Sequence, residues 1–185
     1  GDDEQVVALC REVLQAAPGC LPVRKLQRSA QLRAGGTSAK GFFAKAMGSV
    51  STAPFLLTGK MQLGDDPAKA LASAERMLDA DPRSRAGLVL LGDAATALGW
   101  PETAVFAAEA RREIDPHDVA VLVTLGRAQL AAGRPEAAVQ AAETALRMES
   151  IHGPAQALLK DASVALSLRR GNWEERGDFR GKLKS

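Results

Sequence analysis

Apolar residues recur at helical spacing along most of the chain, and turn-forming residues separate these stretches. Leu88, Leu91, Ala95 and Leu98 follow one another at intervals of three, four and three, the spacing of one buried face of an α-helix. No stretch alternates Val, Ile or Thr with polar residues as a half-buried strand would. The pattern predicts an all-α fold with helices over residues 3–17, 21–34, 39–48, 53–64, 67–80, 85–98, 101–114, 119–132, 135–148 and 153–170.

These helices recur in pairs with a period of 34 residues. Residues 99–116 and 133–150 carry glycine, proline, alanine and glutamate at matching positions, and the match extends backwards to residue 67. A fixed period in this range is typical of a stacked repeat array. The repeated columns are Pro67, Pro101 and Pro135; Ala70, Ala104 and Ala138; Ala74, Ala108 and Ala142; and Glu75, Glu109 and Glu143.

The repeated positions have local structural roles. The prolines suit the first turn of a helix, because a backbone N–H at that position has no hydrogen-bond partner within the helix. Asp66 precedes the first of these prolines and is expected to act as an N-cap. Gly99 and Gly133 suit the left-handed position that ends a helix. Gly92 and Gly126 lie inside helices, where glycine costs about 1 kcal/mol relative to alanine. We therefore expect a close helix contact at these two glycines.

Residues 85–150 resemble the tetratricopeptide repeat family, and residues 65–84 resemble it nearly as well. Leu91-Gly92 and Leu125-Gly126 match its Leu-Gly pair, the alanine columns match its second helix, and Pro116 closes a unit. The resemblance implies a right-handed α–α superhelical solenoid whose first helices line a concave groove for a peptide or helix. Mapped by position, that groove presents Val89, Asp93, Thr96, Val123, Arg127, Leu130, Ala157 and Asp161.

The expected groove places Arg127 between two aspartates, Asp93 and Asp161. Family members that clamp the C-terminal carboxylate of heat-shock chaperones carry Lys and Asn at such positions, so the two aspartates argue against that ligand. Two interpretations stay open. The charges form a ladder of salt bridges between stacked helices, worth under about 1 kcal/mol per exposed pair, or they contact a ligand.

The repeat becomes irregular towards the N-terminus. Residues 2–18 match a second helix without its first, and residues 35–54 fit no repeat. We therefore expect a partial repeat with an irregular basic helical segment over 1–50, a repeat array with a C-terminal capping helix over 51–171, and a polar tail over 172–185. The half-repeat predicts either homodimerisation or a missing upstream helix, because its apolar stripe has no partner. That stripe is Val6, Val7, Leu9, Val13 and Leu14.

Charge is unevenly distributed along the chain. Residues 21–63 contain no acid, whereas residues 65–163 contain more acids than bases. One interpretation is an anion-binding surface for nucleic acid or membrane. The other, which we favour, is a face that docks on an acidic neighbour, including the repeat array itself. The candidate basic surface is Arg24, Lys25, Arg28, Arg33, Lys40 and Lys45.

Signatures of catalysis are missing from the sequence. It contains no G-x-S-x-G, H-E-x-x-H, P-loop or Cys-x-x-Cys pattern, so we expect no enzyme, metal or cofactor. We expect a cytoplasmic protein–protein interaction scaffold whose upstream targeting segment, if any, has been removed. Its partner would be a protein or peptide rather than nucleic acid or membrane. The alternatives are a peripheral module that binds nucleic acid or anionic membrane through residues 21–60, and an accessory or regulatory domain of a larger protein.

Overall fold

The computed structural model describes the backbone of residues 2–36 and 56–182 and the side chains of residues 2–34 and 56–171. Within these residues the structure is helical and contains no strand, which confirms the all-α prediction. The helices are α1 (Asp2–Ala16), α2 (Leu21–Gly36), α3 (56–62), α4 (Pro67–Ala80), α5 (Arg85–Ala97), α6 (Pro101–Ile114), α7 (Val119–Ala131), α8 (Pro135–Met148) and α9 (Gly153–Lys182).

The chain forms two compact units, the first over Gly1–Ile114 and the second over Asp115–Ser185. In the first unit α1 packs on α2, and α5 packs on both α4 and α6. In the second unit α8 packs on α7 and α9, and α7 also touches α9. Consecutive helices therefore pack as neighbours within each unit, as expected for helical repeats.

Helix boundaries follow the sequence signals closely. Helices α4, α6 and α8 begin and end where the sequence predicts. Helix α9 is longer than predicted, because it continues past residue 170 to Lys182 and includes the backbone of residues 172–182. The helix predicted over 39–48 and the first residues of the one predicted over 53–64 lie outside the described residues.

Side-chain caps start several helices. The Asp66 carboxylate accepts a hydrogen bond from the Lys69 backbone N–H at 3.1 Å, which confirms its predicted role before α4. Asp118 does the same for α7, where it accepts from the Ala120 N–H at 2.9 Å. Gly99 and Gly133 both have φ of +71°, the left-handed conformation predicted for the ends of α5 and α7. These local signals therefore set where the helices start and stop.

Each unit has its own apolar core. Leu90 and Leu91 lie at the centre of the first core, among small residues of α4, α5 and α6. Leu122 lies in the second core, with alanines from α8 and α9. The alanine columns are buried as predicted, since Ala108 is 5% exposed and Ala142 is 0% exposed. Small side chains let the helix backbones approach each other, which is why alanine dominates both cores.

Two mid-helix glycines mark close helix contacts. A Cβ at Gly126 of α7 would collide with the Leu158 side chain of α9 and lie 3.2 Å from Cβ of Ala141. A Cβ at Gly59 of α3 would collide with Leu90 of α5. The prediction of a close contact is confirmed at Gly126. At Gly92 the nearest such neighbour, Ala107, would be 3.6 Å from an added Cβ, an ordinary contact distance.

The helix pair α1–α2 belongs to the first unit together with α3 to α6, although the sequence suggested a boundary at residue 50. Arg11 of α1 donates from Nε to Asp79 Oδ2 of α4 at 3.0 Å. The turn between α1 and α2 places Gly19 beside the indole ring of Trp100. Long-range contacts of this kind hold the irregular N-terminal helices against the repeated ones.

Candidate functional site

The first unit presents two opposite charges at one repeat position of its first helices. Lys60 follows Gly59 on α3, Asp93 follows Gly92 on α5, and both side chains are exposed. The Asp93 carboxyl sits against the protein while the residue as a whole stays exposed, and this partial desolvation raises its pKa. The positive charge of Lys60 acts in the opposite direction and lowers that pKa.

The other predicted groove residues of α5 differ in what they offer a ligand. Val89 is 44% exposed and gives α5 an accessible apolar side chain. The Thr96 hydroxyl donates to the Gly92 carbonyl of its own helix at 2.8 Å. Its proton is therefore already used, and Thr96 has only acceptor capacity left for a ligand.

The second unit repeats the charge pattern with the signs in the same order. Arg127 follows Gly126 on α7, Asp161 lies 34 residues later on α9, and both are exposed. Ala157 is exposed on α9, and Leu130 is half-buried against the second core. Helices α7 and α9 approach each other closely beside these residues, since a Cβ at Gly126 would collide with Leu158 of α9.

Val123 departs from the predicted groove. It is 4% exposed and belongs to the second core, with Leu122 and Leu158. A valine buried against these neighbours cannot contact a ligand without repacking, so we remove Val123 from the candidate surface. Val89 occupies the corresponding repeat position and remains exposed.

Arg24 of the predicted basic surface is an internal residue. It is 4% exposed, and its Nη2 donates to the Pro18 carbonyl at 2.7 Å. The same nitrogen lies 2.8 Å from Glu75 Oε1, a close charge contact in which that oxygen receives no conventional hydrogen bond. Arg24 therefore ties α2 to α4 rather than facing solvent.

Arg28 is also turned inward. It donates from Nη1 to the Pro82 carbonyl, and Nη2 lies 3.7 Å from Glu113 Oε2. Burial lowers the pKa of Arg28, while Glu113 opposes that shift. Its partners come from the end of α4 and from α6, so Arg28 is a second link between α2 and the rest of the first unit.

The remaining basic residues have different surroundings. Arg33 donates from Nε and Nη2 to Asp3 Oδ1 at 3.0 and 2.8 Å, and this contact raises the pKa of Arg33. Lys25 is exposed beside a cleft, and Lys40 and Lys45 lie outside the described residues. Three of the predicted cations are thus engaged by carboxylates of the first unit, which weakens the case for an open anion-binding surface.

The cleft beside Lys25 was missed at the sequence level. It has a volume of about 250 Å³ and lies between α2 and α6. The sequence analysis also did not group the acidic residues that contact α2. The repeat period could have linked two of them, because Asp79 and Glu113 are 34 residues apart. The residues that line the cleft are Lys25, Arg28, Ser29, Leu32, Phe106, Glu109, Ala110 and Glu113.

The described part of the chain contains neither a metal-binding cluster nor a membrane-spanning helix. There, no group of three or more His, Cys, Asp or Glu side chains is arranged to hold a metal ion. No helix in that part is both long and apolar enough to cross a membrane. Cys10 is a buried free thiol and Cys20 a half-buried one.

No protein-family model matches the chain, and no curated protein matches it.

Proposed function

We propose that the protein is a tetratricopeptide-like interaction scaffold that binds a peptide or helix of a partner protein along its first helices, α3, α5, α7 and α9. The right-handed superhelical solenoid is part of this proposal. The consecutive packing of helices within each unit supports it. So does the repeated backbone geometry at Gly99 and Gly133.

The observation that carries the proposal is exposed charge at one repeat position of the first helices. Lys60 and Asp93 occupy it in the first unit, and Arg127 and Asp161 occupy it in the second. Exposed pairs of this kind add under about 1 kcal/mol to stability, so structural need alone is a weak reason for them. A partner peptide that carries the opposite charges would match this pattern.

Asp93 adds a specific reason to expect a basic ligand group. Its carboxylate is partly desolvated, as the raised pKa shows, and Lys60 only partly offsets that effect. A ligand cation placed beside Asp93 would replace lost solvation with a charge-assisted hydrogen bond, which is stronger than a neutral one. The apolar side chain of Val89, on the same helix, would contact the stem of such a ligand residue.

A ligand for the test can be selected from a random-peptide phage library with the full-length chain as bait. Fluorescence anisotropy then compares the selected peptide on wild type, Arg127→Glu and Asp93→Lys. We expect each reversal to weaken binding at least about tenfold, a loss of about 1.4 kcal/mol. Lys160→Glu, at an exposed position next to Asp161, is the matched control and should bind as wild type does. Equal affinity for all four proteins would contradict the groove proposal.

Homodimerisation through α1 remains a separate prediction. Leu9 and Val13 are 63% and 45% exposed one helical turn apart, whereas Cys10 and Leu14 are buried. Light scattering over a range of concentrations would detect a dimer. Leu9→Lys, which places a charge in the exposed stripe, should then shift the protein to monomer.

A further inference from the structure

The side of α2 that faces the rest of the first unit is polar, although the surface beneath it is largely apolar. Arg24, Gln27, Arg28 and Gln31 follow the three- and four-residue spacing of a single helix face. All four line a small cavity of about 20 Å³, which has room for about one water molecule. Its apolar walls are Leu78, Leu88, Leu91 and Phe106, and its acidic walls are Glu75 and Asp79.

Acidic residues from α4 and α6 engage this polar face of α2. Glu75 contacts Arg24 at 2.8 Å, and Glu113 lies 3.7 Å from Arg28. Asp79 Oδ1 accepts hydrogen bonds from two glutamines of α2, Gln31 at 2.8 Å and Gln27 at 3.4 Å. We call the surface formed by Glu75, Leu78, Asp79, Phe106 and Glu113 the α4–α6 face. It combines an apolar floor with an acidic rim, which suits a basic amphipathic helix.

Helix α2 fits the α4–α6 face imperfectly. Arg24 is 4% exposed, and among the described residues its Nε has no hydrogen-bond partner. The Oε1 of Glu75 is buried 2.8 Å from Arg24 Nη2 but receives no conventional hydrogen bond. Unsatisfied buried polar atoms keep most of their desolvation penalty. The glutamines add a second mismatch, because they line the same cavity as Leu78 and Phe106, where apolar side chains would bury more surface.

We propose that α2 is an intramolecular occupant of the α4–α6 face and that a basic amphipathic helix of a partner protein displaces it. The partner helix would carry two arginines four residues apart, as Arg24 and Arg28 are, to meet Glu75 and Glu113. It would carry apolar residues where α2 has Gln27 and Gln31. Recognition of an amphipathic helix by an apolar groove is a common mode of binding. This site goes beyond the groove of the first helices, because it uses none of the same residues.

If α2 must leave before the partner helix binds, then the fraction of molecules in which α2 covers the α4–α6 face regulates partner binding. A ligand whose site is free in only a fraction of the molecules binds with an apparent Kd raised by the inverse of that fraction. Any change that loosens α2 should therefore tighten partner binding without altering the α4–α6 face. This behaviour would distinguish an occupied binding site from a permanent structural contact.

The test uses full-length Arg24→Glu/Arg28→Glu, which repels α2 from the acidic rim and leaves the α4–α6 face intact. The probe is a fluorescent peptide of residues 20–36, together with its Gln27→Leu/Gln31→Leu version. We expect both peptides to bind the double variant at least about tenfold more tightly than wild type, because wild type must first release α2. The leucine version should bind more tightly than the parent peptide on both proteins.

Two further proteins test the specificity of this binding. Arg147→Glu/Lys160→Glu has the same change in net charge at two exposed positions of the second unit and should bind the peptides as weakly as wild type. Adding Asp79→Lys to the double variant should abolish binding of the parent peptide, because it removes the acceptor shared by Gln27 and Gln31. Equal binding to wild type and to the double variant, or binding of the parent peptide that survives Asp79→Lys, would overturn the proposal.

A measurement on wild type decides the matter if the double variant does not fold. Hydrogen exchange is followed in α1–α2 and in α8 with and without saturating leucine peptide, and again near 1 M salt, where the Debye length is about 3 Å. We expect the peptide and the salt to speed exchange in α1–α2 and to leave α8 unchanged. If neither the peptide nor the salt changes the rate of hydrogen exchange in α1–α2, then α2 is a fixed part of the fold and the proposal is overturned.

Discussion

Nη2 of Arg24 on α2 lies 2.8 Å from Oε1 of Glu75 on α4, and their side chains are 4% and 30% exposed. The same nitrogen donates to the Pro18 carbonyl at 2.7 Å. A cation from the acid-free part of the sequence is therefore an internal support between two helices. Its charge is held by one carboxylate and one carbonyl, so loss of the side chain removes both contacts and leaves Glu75 without its partner.

We expect Arg24→Ala to lower the free energy of unfolding by about 2–3 kcal/mol. Breaking a fully buried ion pair costs about 3–5 kcal/mol, and the cost is smaller here because the Glu75 side chain is 30% exposed. Lys25→Ala, at the exposed neighbouring position, should change it by less than about 0.5 kcal/mol. Urea denaturation measures both. Replacing both partners in Arg24→Met/Glu75→Leu should recover most of the loss, and a double variant no more stable than Arg24→Ala would argue against this account.

The repeat glycines provide a matched pair of substitutions. Gly92→Ala should stabilise the protein by up to about 1 kcal/mol, because alanine favours the helix and an added Cβ would lie 3.6 Å from Ala107. Gly126→Ala should destabilise it, because its Cβ would meet Leu158 and lie 3.2 Å from Ala141, and overpacking costs about 1–3 kcal/mol. Thermal denaturation should show midpoint shifts of opposite sign. Shifts of the same sign would mean that the two helix contacts are equivalent.

The alanine columns should not accept larger side chains. Ala142 is 0% exposed in the second core, so Ala142→Leu is expected to cost about 1–3 kcal/mol through overpacking. Glu143→Leu, at the exposed next position of α8, is the control with the same new side chain. A differential scanning calorimetry midpoint lowered by Ala142→Leu and nearly unchanged by Glu143→Leu would agree with the prediction. Equal effects would point to a general consequence of adding leucine to α8.

The raised pKa of Asp93 predicts a pH-dependent effect. A carboxyl whose pKa is higher in the folded than in the unfolded state favours folding while it is protonated, and this contribution is lost as pH rises through the folded pKa. Asp93→Asn should therefore stabilise the protein at pH 7, by less than about 1 kcal/mol because the residue is largely exposed. The gain should disappear below the ordinary aspartate pKa of 3.8. Urea denaturation of both proteins at neutral and acid pH gives the difference, and a gain that persists in acid would exclude desolvation as its cause.

Sequence signals located the repeated helices because each signal acts over a few residues. Proline at the first turn and glycine at φ of +71° restrict the backbone where they stand. Helices α4, α6 and α8 were therefore placed to the residue. The end of α9 was not, because Gly171 follows Arg170 as a C-terminal cap would, yet its φ is not positive and the helix continues to Lys182.

The sequence alone determined the all-α fold, the boundaries of the repeated helices α4, α6 and α8 and the buried alanine columns, since these depend on spacing and backbone chemistry. The tertiary structure decided which side chains a ligand could reach. Val89 and Val123 share a repeat position, yet they are 44% and 4% exposed, because burial depends on the helices packed around each one. Arg24 likewise counts as surface charge in the sequence but is buried beside Glu75. A residue's exposure is set by neighbours that are distant along the chain, and no local pattern records them.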